Sequence, residues 1–267
     1  METILMREDA PLTAEQWHEV DTTVNQMAQQ ILVGRRILNL YGPLGFGAYT
    51  VPLYTYKGDE EGTVRAKMTA QVPLTTLTQE FVITAKDLEL SNSGQQPFDT
   101  APVGAAAAKS VFAEDCLILN GNEEGAPGLL TAEGRQTIKL GKWEEEGQAL
   151  AGISQATAKL VTEGFYGPYA VVMHPTKFAQ LQRVYGRRGV LESELVEKQA
   201  LAGVFTTPVM PEGKVLVIAV QPHYVDLAVG MDLSTAFVET VNLEHRFRIM
   251  ETLALRIKDA GAICVLE

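Results

Sequence analysis

Cysteine, histidine and tryptophan are scarce in this chain: its 267 residues include 2 Cys, 4 His and 2 Trp. Cys116 and Cys264 lie far apart, which speaks for reduced thiols in a cytosolic protein rather than a disulfide framework. His18, His174, His223 and His245 stand alone, with no H-E-x-x-H and no Cys or His at ligand spacing, so no structural metal is expected. Positive charge is scarce as well. Twenty-two Lys and Arg against 33 Asp and Glu leave a net charge of −11, the opposite of what a phosphate-covering surface needs, and no nucleic-acid partner is expected. No secretory signal pattern precedes Met6, and no apolar run reaches the ~18 residues that a membrane span requires. The expectation is a cytoplasmic protein without a membrane partner.

Catalytic signatures are missing too. There is no G-x-S-x-G elbow, and the glycine cluster at 42–47 (GPLGFG) is neither a dinucleotide fingerprint nor a P-loop, so it reads as a backbone turn. Cys116 is the one nucleophile to weigh. Its neighbours Leu117, Ile118 and Leu119 point to a buried, inert thiol. The acidic groups at 59–61 and 144–146 read as solvated ends of a hairpin and a helix, the second favoured by the helix dipole.

What is present is a composition able to bury a core, 46 % hydrophobic and 21 % charged, in one large domain or two modest ones. Thr13 and Gln16 form a capping box, so a helix begins near Ala14. Trp17, Val20, Val24, Met27 and Ile31 recur at steps of three and four, a narrow apolar stripe, and Gly34 is read as its stop. Residues 49–56 and 63–72 read as a long hairpin; in the second strand Val64, Ala66, Met68, Ala70 and Val72 alternate with polar residues, predicting one apolar face. A strand at 81–84 leads to a short helix after Ala85 and a loop at 91–97. Residues 103–120 form a long buried helix ending at Gly121. Further on come a helix over 144–163, a strand over 169–173, and a helix opened by His174 and Pro175. Strands follow at 215–220, 225–229 and 247–257, with a short apolar terminus at 262–266. Helices and strands interleave without a βαβ cadence, which makes the class α+β.

The segments APLTAEQW at 10–17, GRR at 34–36 followed by YGP, EGFYGPYAVVM at 163–173, VFTTP at 204–208, GMDLS at 230–234 and FRIMETLALRI at 247–257 occur in an order and spacing that resembles the encapsulins. These are linocin-like shell proteins of bacteria and archaea with the fold of tailed-phage capsids. The resemblance extends over essentially the whole chain. It implies an HK97-like fold: N-terminal helix and start of the peripheral domain at 1–47, extended hairpin loop at 48–76, peripheral domain with a spine helix at 77–132, axial domain at 133–224, and the rest of the peripheral domain at 225–267.

The same resemblance implies a self-assembling nanocompartment shell that is not itself an enzyme. Its smallest form is an icosahedral T=1 homo-oligomer of roughly 60 copies. The enclosed cargo in such a shell is often a ferritin-like protein or a peroxidase, serving iron storage or defence against oxidative stress. Cargo would dock by a short terminal peptide on Ile31, Gly34, Arg35, Ile37, Asn39, Leu40, Asp232, Leu233 and Thr235. The simplest alternative for Arg35 and Asp232 is an ion pair that holds the two ends of the chain together. Tyr185, Gly186, Arg187, Arg188 and Gly189 would line a fivefold pore, with cationic rings favouring anions; the plain alternative is a surface loop whose arginines pair with Glu192 or Glu194. Some encapsulins hold a flavin through an aromatic residue near the segment matching 87–92. Here Leu88 stands at that place and the segment has no Trp or Tyr, so no cofactor is expected. Two other readings remain beside the shell: a cysteine hydrolase working as a monomer or small oligomer, and a prophage major capsid protein.

Overall fold

The computed structural model describes residues 2–58, 63–122, 125–186 and 189–267. After a first turn, α1 (Glu2–Leu5), the chain forms α2 (Ala14–Ile31), a short turn of helix α3 (Gly34–Ile37), β1 (Asn39–Tyr41), and a ribbon of β2 (Thr50–Gly58) and β3 (Val64–Pro73). Next come β4 (Thr75–Thr84), α4 (Ala85–Asn92), α5 (Ala101–Asn120), β5 (Gln136–Ile138), α6 (Gln148–Thr162), β6 (Tyr169–Met173) and α7 (Pro175–Leu181). The remainder is β7 (Val184–Tyr185), β8 (Val190–Leu191), α8 (Glu192–Gln199), β9 (Gly203–Thr206), β10 (Val215–Ala219), β11 (Val225–Val241), β12 (Glu244–Ile257) and β13 (Ile263–Leu266).

Helix α2 starts as its capping box predicts: Gln16 N–H donates to Thr13 Oγ1 at 3.2 Å, and Thr13 N–H donates to Gln16 Oε1 at 2.9 Å. It ends at Ile31, before Gly34. Gly34 therefore does not stop the helix; it opens α3. A Cβ there would lie 2.3 Å from Ile118 Cδ1, so glycine serves a close approach to α5.

Two sheets carry the molecule. The first has the order β1-β11-β12-β4, with β1 parallel to β11 and the other pairs antiparallel. The second has the order β5-β13-β10-β6-β9, parallel at its two ends and antiparallel in the middle. Strand β13 thus leaves the first sheet's neighbourhood and hydrogen-bonds between β5 and β10, so the segment 225–267 serves both sheets. One continuous core, including Ile37, Ile118, Leu227, Leu253, Leu216 and Val265, joins the sheets. Helices α2, α4 and α5 cover the first sheet around Phe247, and α6 and α8 cover the second around Leu160. Beneath β1, the Asp226 carboxylate takes Arg256 at 2.5 Å and Lys258 at 2.7 Å, and Arg256 also reaches Pro52 O at 3.1 Å, pinning the ribbon's base.

Three readings from sequence change here. Strand β11 runs on to Val241 rather than ending at 229, because irregularities at Val229/Met231, Met231/Ser234 and Phe237/Glu239 break the alternation that would mark it. Helix α6 begins at Gln148, since Gly147 sits at φ 81° and the acidic residues before it form a turn. Phe112 of α5 is exposed, while Glu114 and Asp115 are fully buried.

The ribbon departs from the reading as well. Leu53 pairs with Ala70 but Tyr54 pairs with Met68, leaving Thr69 as an extra residue. Paired residues share a face and neighbours along a strand do not, so this bulge puts Val64, Ala66 and Met68 with Tyr54 and Tyr56 on one face. Ala70 and Val72 go with Leu53 and Val51 on the other. Val51 and Val72 pack on Ala228 and Ala254, whereas Val64 and Met68 are 67 % and 54 % exposed. No helix among the described residues is long and apolar enough to cross a membrane.

Candidate functional site

The chain passes from α2 into α3 through two backbone N–H groups that a buried carboxylate captures. Asp115 of α5 accepts from Gly34 N–H at 2.8 Å and from Val33 N–H at 3.1 Å. Burial pushes this carboxyl up to about 6, against the pull of the two N–H donors.

The next residue, Arg35, is the hub. Its Nε donates to Glu114 Oε1 at 2.7 Å, and its two terminal nitrogens meet Asp232 Oδ1 at 2.6 Å and Glu251 Oε2 at 2.8 Å. Burial alone would lower the guanidinium, but Glu114 and then Asp232 more than offset that and hold it firmly charged. The pairing of Arg35 with Asp232 does tie the two ends of the chain together, yet a cleft opens directly beside it. This cleft, of about 340 Å³, is lined by Asn25, Ala28, Gln29, Leu32, Arg35, Arg36, Asp232 and Leu233. Its walls are α2, α3 and the middle of β11.

Of the residues named from sequence, Arg35, Asp232 and Leu233 come together here. Ile31 is half-buried at the end of α2, and Gly34 is buried against α5. Ile37 is fully buried in the shared core and cannot receive a ligand, because α3 turns it inward where an extended chain would have presented it. Thr235 is buried on β11, two residues beyond Leu233, and does not line the cleft. Asn39 and Leu40 are exposed on β1 but pair with Asp226 and Leu227, away from Asp232. Of the residues not foreseen, Asn25, Ala28, Gln29 and the C-cap Leu32 form an i, i+3, i+4, i+7 row along α2, and Arg36 is the fifth. That row was visible as the face next to the apolar stripe. Arg36 is exposed and donates to Gln29 O and Gln30 O, closing the free end of α2.

The loop between β7 and β8 is stapled at its base. Glu192, fully buried, takes Arg183 at 2.8 Å and Leu150 N–H at 3.0 Å, and Arg183 also donates to the carbonyls of Trp143 and Glu144. Gly186 N–H donates to Glu146 Oε1 at 2.6 Å, and the Tyr185 ring lies against Gly147. Of the three arginines in this stretch, Arg183 thus pairs with Glu192 and faces inward. Gly186 and Gly189 both hold positive φ, while Arg187 and Arg188 lie outside the described residues.

Cys116 is half-buried on α5, its thiol held protonated by burial and then by Asp115, which denies it the thiolate that nucleophilic attack requires. Leu88, where the resemblance would put a flavin contact, is buried in α4 against the first sheet. Among the described residues no group of three His, Cys, Asp or Glu could hold a metal ion.

The model of the family described as encapsulating protein for peroxidase matches residues 1–254. The type 1 encapsulin shell protein EncA of Myxococcus xanthus is 37 % identical over 281 residues, covering 100 % of this chain and 97 % of that one. In shape, the chain is similar to the virus-like particle protein of Pyrococcus furiosus, with a TM-score of 0.81 at 22 % identity over 95 % of this chain and all of the other. It is also similar to the capsid of Myoviridae phage XM1, with a TM-score of 0.63 at 16 % identity over 91 % and 90 % of the two chains. The fold is therefore the HK97-like capsid fold, in the α+β class read from the sequence. With sequence carrying the family and shape carrying the capsid fold, the chain belongs to the encapsulins, structural proteins that assemble with copies of themselves into cargo-enclosing shells.

Proposed function

We propose that this protomer builds a cytoplasmic T=1 shell of roughly 60 copies, without enzymatic activity or flavin of its own, and that cargo docks by a terminal peptide in the cleft between α2 and β11. The observation that carries the docking reading is the cleft itself. Ala28 and Leu233, over a floor that includes buried Leu32, offer small and aliphatic surface to apolar anchors, while Asn25, Gln29 and Asp232 at its edge supply directional polar contacts to an extended chain. The family's description favours a peroxidase as cargo, and a ferritin-like iron-storage enzyme is the other class that the resemblance implies. The loop joining β7 to β8 would ring the fivefold axis, on a base that Glu192 and Arg183 staple to the start of α6.

Leu233→Asp combined with Ala28→Asp should give shells of normal size that are empty. Particle diameter by electron microscopy and cargo content by mass spectrometry of purified particles measure the two halves. Cargo retained at the wild-type ratio would place docking elsewhere.

A further inference from the structure

The cluster beneath the cleft holds more acid than base. Glu114 of α5 and Glu251 of β12 are both fully buried, and each offers one oxygen to Arg35. Their other oxygens, Glu114 Oε2 and Glu251 Oε1, are buried and have no donor among the described residues. Two ionised carboxylates without water would leave a net negative charge and two unsatisfied acceptors, each of which is costly.

The surrounding charges do not cancel it. From α3 come Arg35 and the exposed Arg36, which is turned to the end of α2. From α5 come Asp115, engaged by Val33 and Gly34, and the protonated Cys116. From β11 comes Asp232, whose side chain is 63 % exposed. Arg35 is the one buried cation in contact with the pair among the described residues.

We propose that Glu114 and Glu251 share one proton at neutral pH, the carboxyl of one donating to the free oxygen of the other, and that this proton sets how firmly the α2–α3 junction is clamped to the cleft floor. Burial first, and then the neighbouring Glu114, raise the Glu251 carboxyl well above its ordinary range, in keeping with this arrangement. A carboxyl raised in the folded state binds more protons folded than unfolded. Its contribution is therefore fully present at low pH and is lost as pH rises through the folded value. Mild acid tightens the clamp and alkali loosens it. The consequence for cargo rests on the docking reading given above; the shared proton does not.

Infrared spectra of assembled shells in heavy water at neutral pH should show a protonated-carboxyl C=O band worth one group per chain. Glu251→Gln should abolish it, as should Glu114→Gln. Amide exchange at Val33 and Gly34, corrected for intrinsic rate, should lose roughly tenfold in protection for each unit that pH rises from neutrality toward the band's midpoint and level off beyond it, and should lose none over that range in Glu251→Gln. Absence of the band in the wild type, which would mean that an internal water serves both oxygens, overturns the proposal, and so does a band that persists in both variants. Should neither variant assemble, the wild-type band and its parallel titration with amide protection decide. Neither measurement involves cargo, so a failed docking test leaves this result untouched.

Discussion

Among the described residues buried Asp115 has no ion-pair partner, and its position makes the stability of the N-terminal segment depend on pH in an unusual direction. Its folded value of about 6 lies above the ordinary 3.8, so the folded protein binds the extra proton between these limits, and stability gained from this group grows as pH falls through them. The span of roughly 2 units bounds the effect at about 3 kcal/mol. Asp115→Asn removes the titration while keeping an oxygen for Gly34 and Val33. The thermal midpoint of wild type minus that of the variant should therefore rise as pH is lowered from neutrality toward 4; parallel profiles would show that Asp115 does not titrate there. Of this residue-scale chemistry, the sequence disclosed only part. Arg35, Asp232 and Leu233 were reachable through the resemblance, but Glu114 and Asp115 sit in an alanine-rich run that reads as plain buried helix, and Glu251 is 137 positions after Glu114. Nothing local marks Glu251 as a neighbour of Glu114. Ile37 was misplaced for a related reason: one turn of helix reverses which side of the chain faces the core.

Among the elements, those with local signals were legible. The start of α2 is written in Thr13 and Gln16, the start of α7 in His174 and Pro175, and the end of α5 in Gly121. Elements shaped by distant partners were not. The start of α6 depends on Glu192 accepting from Leu150 N–H, 42 positions away, and the bulges of β11 and β3 leave no local sign. The two-residue turn joining β11 to β12 is another case: Asn242 and Leu243 hold φ of 52° and 64°. Asparagine tolerates that region, but leucine does not sit there readily. Leu243 is 75 % exposed, so its side chain adds little burial in the single protomer. Leu243→Gly should stabilise the protomer by about 1 kcal/mol, measured by denaturant titration of disassembled protein. A loss of stability would mean that the leucine makes contacts beyond its own chain.

At the scale of the whole molecule, the ribbon of β2 and β3 is incomplete by itself. Tyr54, Tyr56, Val64 and Met68 stand exposed on one face, and a two-stranded ribbon is marginal in water unless something covers it. In a shell, the natural cover is a neighbouring copy. Met68→Asp would force a charge into that contact. The variant should remain folded by circular dichroism yet elute from gel filtration as small species or as fragile particles; intact shells with unchanged thermal midpoint would remove the ribbon from the assembly contacts.

The strand order also bears on timing. Strand β4 finds its partner only in β12, some 160 positions later, and β5 must wait for β13, which is the last strand of this sequence to be made yet lies inside its sheet. During synthesis, the first sheet cannot close until residues near 257 have emerged, nor the second until residues near 266, and contacts this distant in sequence also fold slowly. A nascent chain therefore lacks the finished surfaces that neighbouring copies would recognise until both long-range pairings, β4 with β12 and β5 with β13, have formed.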